Sequence, residues 1–148
     1  MKNILVVIAI ITAIQVHAQS VAPTATQRAA LTHLIDEYAA ARETRDTLLL
    51  KKILTVDVDQ LVSTGEWRSG IRAAVEGMLK SSASRPGTRT LTVDKIRLIN
   101  SNTAIVDCKY QIQNADGTTR NMWSSFVAVF NKSNWKITAI RNMLPAAE

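Results

Sequence analysis

The chain has 148 residues, 47% of them hydrophobic, which is enough for one domain with a real core and too little for two comfortable ones. Charged residues make up 20% and glycine and proline are sparse, so a disordered acidic tail and a low-complexity array are both excluded. The net charge of +6 comes from basic positions interleaved with acids between Arg28 and Arg141. That pattern serves solubility and is not a nucleic-acid stripe, so no nucleic-acid partner is expected.

The first 18 residues read as a secretory signal. Lys2 supplies the positive end, Ile4 to Ile14 form the apolar stretch, and Val16-His17-Ala18 closes it with residues that a signal peptidase accepts. The stretch is too short to span a bilayer. The expected organisation is a signal peptide over 1–18, a polar tether over 19–26 and one domain over 27–148. The domain is exported to the periplasm or the medium and has no membrane span once the signal is removed. Cys108 is the single cysteine, so packing and not a disulfide must hold the domain together. Alternation puts it on one face with Val106 and Tyr110, as a buried, inert thiol.

From Gln27 to Arg45 the residues Leu31, Leu34, Ile35, Tyr38 and Ala41 recur at steps of three and four, which predicts an amphipathic helix with Thr26 as its N-cap. Thr47 to Leu54 reads as a second helix buried on most sides, with Asp46 as cap. The period then changes at Val56, Val58, Leu61 and Val62 to a short strand closed by Ser63-Thr64-Gly65. Ile71 to Leu79 returns to helical spacing and ends in a loop over Ser81 to Gly87. Four strands follow: Thr90 to Ile99, Thr103 to Gln113, Arg120 to Phe130 and Trp135 to Met143. Asn114-Ala115-Asp116-Gly117 is the strongest hairpin signal among their turns. Short turns force antiparallel pairing. Helices segregated from strands argue an α+β fold, a curved antiparallel sheet wrapped over about three N-terminal helices. Arg120 to Phe130 is apolar on both parities, which calls for a cover on the far side of the sheet, and a second copy of the chain is the simplest one.

Asp57-Val58-Asp59, then Gly65-Glu66-Trp67-Arg68-Ser69-Gly70-Ile71, and finally Trp135-Lys136-Ile137 together resemble the SnoaL-like branch of the nuclear transport factor 2-like superfamily, specifically its exported SgcJ/EcaC-type subgroup. The resemblance spans about Arg28 to Pro145. It implies a cone-shaped α+β barrel of cystatin-like type, closed at one end by helices and holding a pocket. It does not fix the chemistry, because the superfamily includes isomerases, dehydratases, cyclases and plain binding domains. In steroid isomerases of this fold a tyrosine on the first helix polarises a carbonyl, a part that Tyr38 could take. The proton-transfer acid ahead of the glycine turn is missing here, where Leu61, Val62, Ser63 and Thr64 stand. Asp57 matches the acid that opens the strand. Many relatives carry a histidine six residues past the final tryptophan, and this chain has Arg141, which can hold an anion but cannot serve as a proton-transfer base.

Beyond the signal only His33 remains, pointing away from the core, so no metal site is expected. Neither a dinucleotide fingerprint nor a phosphate-cradling loop is present, so no cofactor is expected. The expected ligand-binding set is Trp67, Tyr110, Met122, Arg141 and Met143, with Arg141 turned inward by the parity it shares with Trp135, Ile137 and Ala139. An inward arginine needs a partner, either an internal ion pair with Asp57 or Asp107, or the acidic group of a ligand. Three functions stay open. The first is a homodimeric binding domain for a small, largely apolar ligand whose anionic group meets Arg141. The second is a cofactor-independent isomerase or lyase using Tyr38 as donor and Asp57 as base. The third is an interaction module with a filled pocket.

Overall fold

The structure, a computed structural model, describes residues 22–84 and 87–145. The signal peptide expected over 1–18, and the first residues of the tether, lie outside the described residues. Three helices, α1 (Ala25–Thr44), α2 (Thr47–Ile53) and α3 (Gly70–Ser84), pack on one face of a six-stranded sheet. Its strands are β1 (Leu54–Leu61), β2 (Trp67–Ser69), β3 (Gly87–Asn100), β4 (Thr103–Asn114), β5 (Thr119–Asn131) and β6 (Asn134–Met143). The spatial order is β2-β1-β6-β5-β4-β3. All neighbours are antiparallel except β1 and β6, which run parallel.

The stripe on α1 does what its spacing predicts: Leu31, Leu34, Ile35, Tyr38 and Ala41 are all buried. Its start differs. Thr24, not Thr26, is the N-cap, and it forms a capping box with Gln27. Gln27 returns its side chain to the cap backbone, a reciprocity that Thr26 has no glutamine or glutamate three residues on to supply. The helix therefore includes residues 25 and 26 of the expected tether. It ends on Arg45, a non-glycine residue held at φ 58°. Arg45→Gly removes that left-handed strain and is expected to raise the unfolding free energy by about 0.5–1 kcal/mol, read as a higher urea midpoint.

Asp46 caps α2 by accepting hydrogen bonds from the Leu48 and Leu49 amides at 2.9 Å. α2 is not buried on most sides, because Leu48 is 77% exposed while Leu50 and Ile53 are buried. The loop expected over Ser81 to Gly87 is helical as far as Ser84. Serine is a tolerable helix former when the turn before it is packed, and Ser82 is buried here.

The sheet curves because three strand pairs carry extra residues: β3 against β4 at Val93 to Lys95 and at Leu98 to Asn100, β5 against β6 near Val127, and β1 against β6 between Leu54 and Asp59. The core lies between the concave face and the helices, around Phe126, Leu31, Ile35, Ile137 and Ile140. Cys108 is fully buried there, and burial pushes its thiol up to about 12. The folded chain thus keeps a proton that the unfolded chain releases above its ordinary thiol range, so stability falls as pH rises from about 9 toward 12. Thiol reagents are expected to label Cys108 only on unfolding. The alkaline loss of the urea midpoint is expected to be shallower in Cys108→Ala.

Candidate functional site

Strand register places three rows of side chains on the concave face at the open end of the cone. Arg89, Ile112 and Arg120 are Cα partners across β3, β4 and β5, and Leu91, Tyr110 and Met122 form the next row inward. Deeper still, Val93, Cys108 and Ser124 continue the rows, and Ser124 pairs with Asn142, to which it hydrogen bonds. Rows from the same face lie two residues apart along each strand. The mouth is thus rimmed by arginines and floored by Tyr110, Ile112 and Met122, which form a small buried cluster of their own.

A cavity of about 210 Å³ opens there, closed on its other sides by α1, α3 and the β1–β2 loop. Among the described residues its lining holds five cations, Arg42, Arg68, Lys80, Arg89 and Arg120, against one carboxylate, Glu66. Arg42 is the most unusual of them. It follows Tyr38 by four residues on α1 and so continues the buried stripe, with only 8% of its surface exposed. Its guanidinium donates to the Tyr38 hydroxyl (3.4 Å) and the Ser81 hydroxyl (3.3 Å), and it lies 5.8 Å from the ring centroids of both Tyr38 and Tyr110. Among the described residues no carboxylate pairs with it, and its Nε has no hydrogen-bond partner there. A buried charge without a counter-charge is costly unless something neutralises it.

The other cations are positioned by local structure. Arg68 lies on the buried face of β2, and its stem crosses α3 at Gly77, where an added Cβ would stand 2.3 Å from Nε. Gly77 is therefore the space that Arg68 occupies. Arg68 donates to Glu66 at 2.9 Å, and this bond holds the Glu66 carboxyl below its ordinary range. Arg120 donates to Ser63 at 3.0 Å. Arg89 donates to the carbonyls of Gly87 (3.0 Å) and Ser81 (3.4 Å). Burial pushes the Tyr110 phenol up, with Arg42 and Arg89 pulling against it, so Tyr110 stays protonated at neutral pH. The arrangement can hold oxyanions and polarise them. Among the described lining residues it offers no group that exchanges protons near neutrality.

The expected ligand-binding residues separate. Tyr110 and Met122 line this cavity. Trp67, Arg141 and Met143 lie on the opposite, outer face of the sheet. Arg141 is not inward, because Thr138 is an extra residue on β6: Ala128 pairs with Ile137 and Val127 with Ala139. Parity reverses across that bulge, so Ile140 and Asn142 face inward and Arg141 faces out. Arg141 forms a two-armed ion pair with Asp59, 3.0 Å on each arm, rather than with Asp57 or Asp107. It also stacks 4.8 Å from the centroid of the Trp67 ring, which is 56% exposed. Asp107 instead accepts a hydrogen bond from Ser125. The two residues of the enzyme alternative are not brought together either, since Tyr38 is buried edge-on against Phe126 while Asp57 is exposed on β1.

A larger groove of about 780 Å³ lies at the other end of the cone, between α1 and the β3–β4 and β5–β6 turns. Phe130 and Trp135, with ring centroids 5.4 Å apart, form part of its wall, and His33, Lys52 and Lys136 stand around it. Its charged side chains are exposed or half-buried, so it lacks the desolvated cation that marks the mouth. No helix of the described residues is long and apolar enough to cross a membrane.

The fold is the cystatin-like, nuclear transport factor 2-like one. The chain is similar to a Nostoc punctiforme domain of unknown function with a cystatin-like fold (TM-score 0.75, 15% identity, covering 84% of this chain and 81% of that one). It is also similar to a Novosphingobium aromaticivorans protein described as nuclear transport factor 2-like with a cystatin-like fold (TM-score 0.71, 16% identity, 82% and 83% covered). An uncharacterised Caulobacter vibrioides protein with a cystatin-like fold superposes at a TM-score of 0.68, with 17% identity and 80% and 89% covered. No protein-family pattern matches the sequence, and neither does any curated protein.

Proposed function

We propose that the chain is an exported SnoaL-like domain that binds a small anionic molecule in the mouth of its cone. The observation that carries this reading is Arg42, a buried guanidinium that faces the cavity and has no paired carboxylate among the described residues. The anion subsite belongs to Arg42 and its neighbours, and Arg141 has its own counter-ion in Asp59. An apolar floor of Tyr110, Ile112 and Met122 accepts the carbon part of the ligand. Thermal unfolding in the presence of small carboxylates and phosphates tests the reading. At least one is expected to raise the melting temperature of the wild type at low salt, less so at high salt, and Arg42→Gln is expected to lose the shift. No shift with any of them would refute it.

The homodimer is part of the same proposal. Trp67, Trp123 and Met143 expose large apolar groups on the outer face of the sheet, where Val127 and Val129 are half-buried, and such a face favours a self-complementary cover. Trp123→Glu is expected to shift the sedimenting species from dimer to monomer. A wild-type protein that is monomeric at all concentrations would contradict the dimer and leave the cup untouched.

A further inference from the structure

We infer that Arg68 is a second anion-binding residue of the mouth, and that Glu66 is a tethered stand-in for the ligand's acidic group, displaced from Arg68 when the ligand arrives. This rests on the anion-binding reading and deepens it, adding one residue that binds and one that competes.

Arg42 and Arg68 reach the same wall of the cavity. Arg42 donates to the Ser81 hydroxyl of α3, and the Arg68 guanidinium lies against Gly77, four residues earlier and so on the same helix face one turn away. Arg42 leaves its Nε without a partner among the described residues. Arg68 is only half used. It donates through Nε alone, to Glu66 at 2.9 Å, and its Nη atoms make no hydrogen bond among the described residues, although neither is sealed from the cavity that Arg68 lines. Arg141 shows the contrast on the outer face, where Asp59 takes both arms of the guanidinium at 3.0 Å. An acidic group with two or more oxygens, a carboxylate or a phosphoryl group, can take the terminal edge of Arg68 in that two-armed way. It then stays along the stretch of α3 that Arg42 also faces.

When the pair separates, Glu66 is the partner that moves. The Arg68 side chain is 10% exposed and its stem fills the space left by Gly77, whereas the Glu66 side chain is 57% exposed. Glu66 stands at the end of the β1–β2 turn, and its carbonyl accepts from the Val62 amide at 3.0 Å. The backbone is thus tied, and the carboxylate alone turns out to water. Little opposes that turn, because an ion pair with one partner in water holds weakly. While Glu66 stays, it both occupies Arg68 and repels an incoming anion, as the one carboxylate among the described lining residues.

Calorimetric titration of the purified protein with phosphate and with acetate tests this. Glu66→Gln is expected to bind at least one of them about three-fold or more tightly than the wild type, the size set by the loss of one weak competing pair. Either anion carries the proposal, and the tighter one names the acid. Asp36→Asn removes an equal charge from an exposed position of α1 outside the cavity lining, and it is expected to bind as the wild type does. Arg68→Gln is expected to weaken binding, and in that background Glu66→Gln is expected to give no further gain, because its target is gone. A Glu66→Gln protein that binds no more tightly than the wild type would overturn the exchange and leave the anion reading standing. So would a gain that Asp36→Asn reproduces or that survives in Arg68→Gln. Failure of both anions to bind the wild type and Glu66→Gln alike would take down the anion reading itself. Where Arg68→Gln does not fold, Glu66→Gln against Asp36→Asn still decides, since both substitutions fall on exposed side chains.

Discussion

Arg42→Met is expected to make the protein more stable by about 1 kcal/mol and to abolish anion uptake. The sign follows from a comparison of magnitudes. The guanidinium makes two charge-assisted hydrogen bonds, long at 3.3 and 3.4 Å, so each contributes near the low end of the roughly 1.5–3 kcal/mol range for ionised donors, and it sits near two tyrosine rings. Against this stands the desolvation of a charge with no counter-ion, which costs several kcal/mol even after relaxation. Methionine fills a similar volume, touches the same rings and carries no charge. The Tyr38 hydroxyl then loses a donor, which takes back part of the gain. A residue that is better replaced for stability and indispensable for binding is the signature of a site whose strain is relieved by its ligand. Urea unfolding of the two proteins, with and without a small carboxylate, checks both halves. A variant that is destabilised by several kcal/mol would mean that Arg42 is a structural cation.

Phe126→Ala is expected to cost about 3–5 kcal/mol. Phe126 is fully buried on β5, between Val106 of β4 and Ile140 of β6, and its ring meets Tyr38 edge-on at 5.2 Å and 72°. Truncation loses the transfer energy of the ring, leaves a cavity that the sheet closes only in part, and removes the aromatic pair. For a domain of ordinary stability, about 5–15 kcal/mol, that is a large share of the whole. Anion affinity is expected to fall as well, because Tyr38, which holds Arg42 from below, loses the surface it rests on. A loss under about 1 kcal/mol in the urea midpoint analysis would show that the core lies elsewhere.

The architecture was legible because the signals were local. Helical spacing from Leu31 to Ala41, the glycine turns at Gly65 and Gly117, and the short hairpin connections fix which elements form and which neighbours pair. The parallel contact of β1 with β6 was not legible, since it joins strands that no short turn connects. The expected site residues fall on two faces of the sheet. Tyr110 and Met122 follow simple alternation and line the cavity. Arg141 does not, because one unpaired residue, Thr138, reverses the parity of everything after it, and nothing in Ile137-Thr138-Ala139 marks that bulge. Trp67 followed Arg141 to the outer face. The cations that do rim the cavity had signals that charge concealed. Arg42 stands four residues after Tyr38 on the buried stripe, and Arg120 shares parity with Met122 and Phe126. An arginine at an apolar position is a stronger pointer to a site than an arginine beside one.

The most direct measurement is the arginine Nε–H region of a proton–nitrogen correlation spectrum, followed as a small carboxylate is added. The Nε of Arg42, without a partner among the described residues, is expected to shift saturably with the ligand, while the Nε signal of Arg141, whose guanidinium is already paired with Asp59, stays in place. Movement of the Arg141 signal with Arg42 unmoved would put the ligand on the outer face and contradict the account.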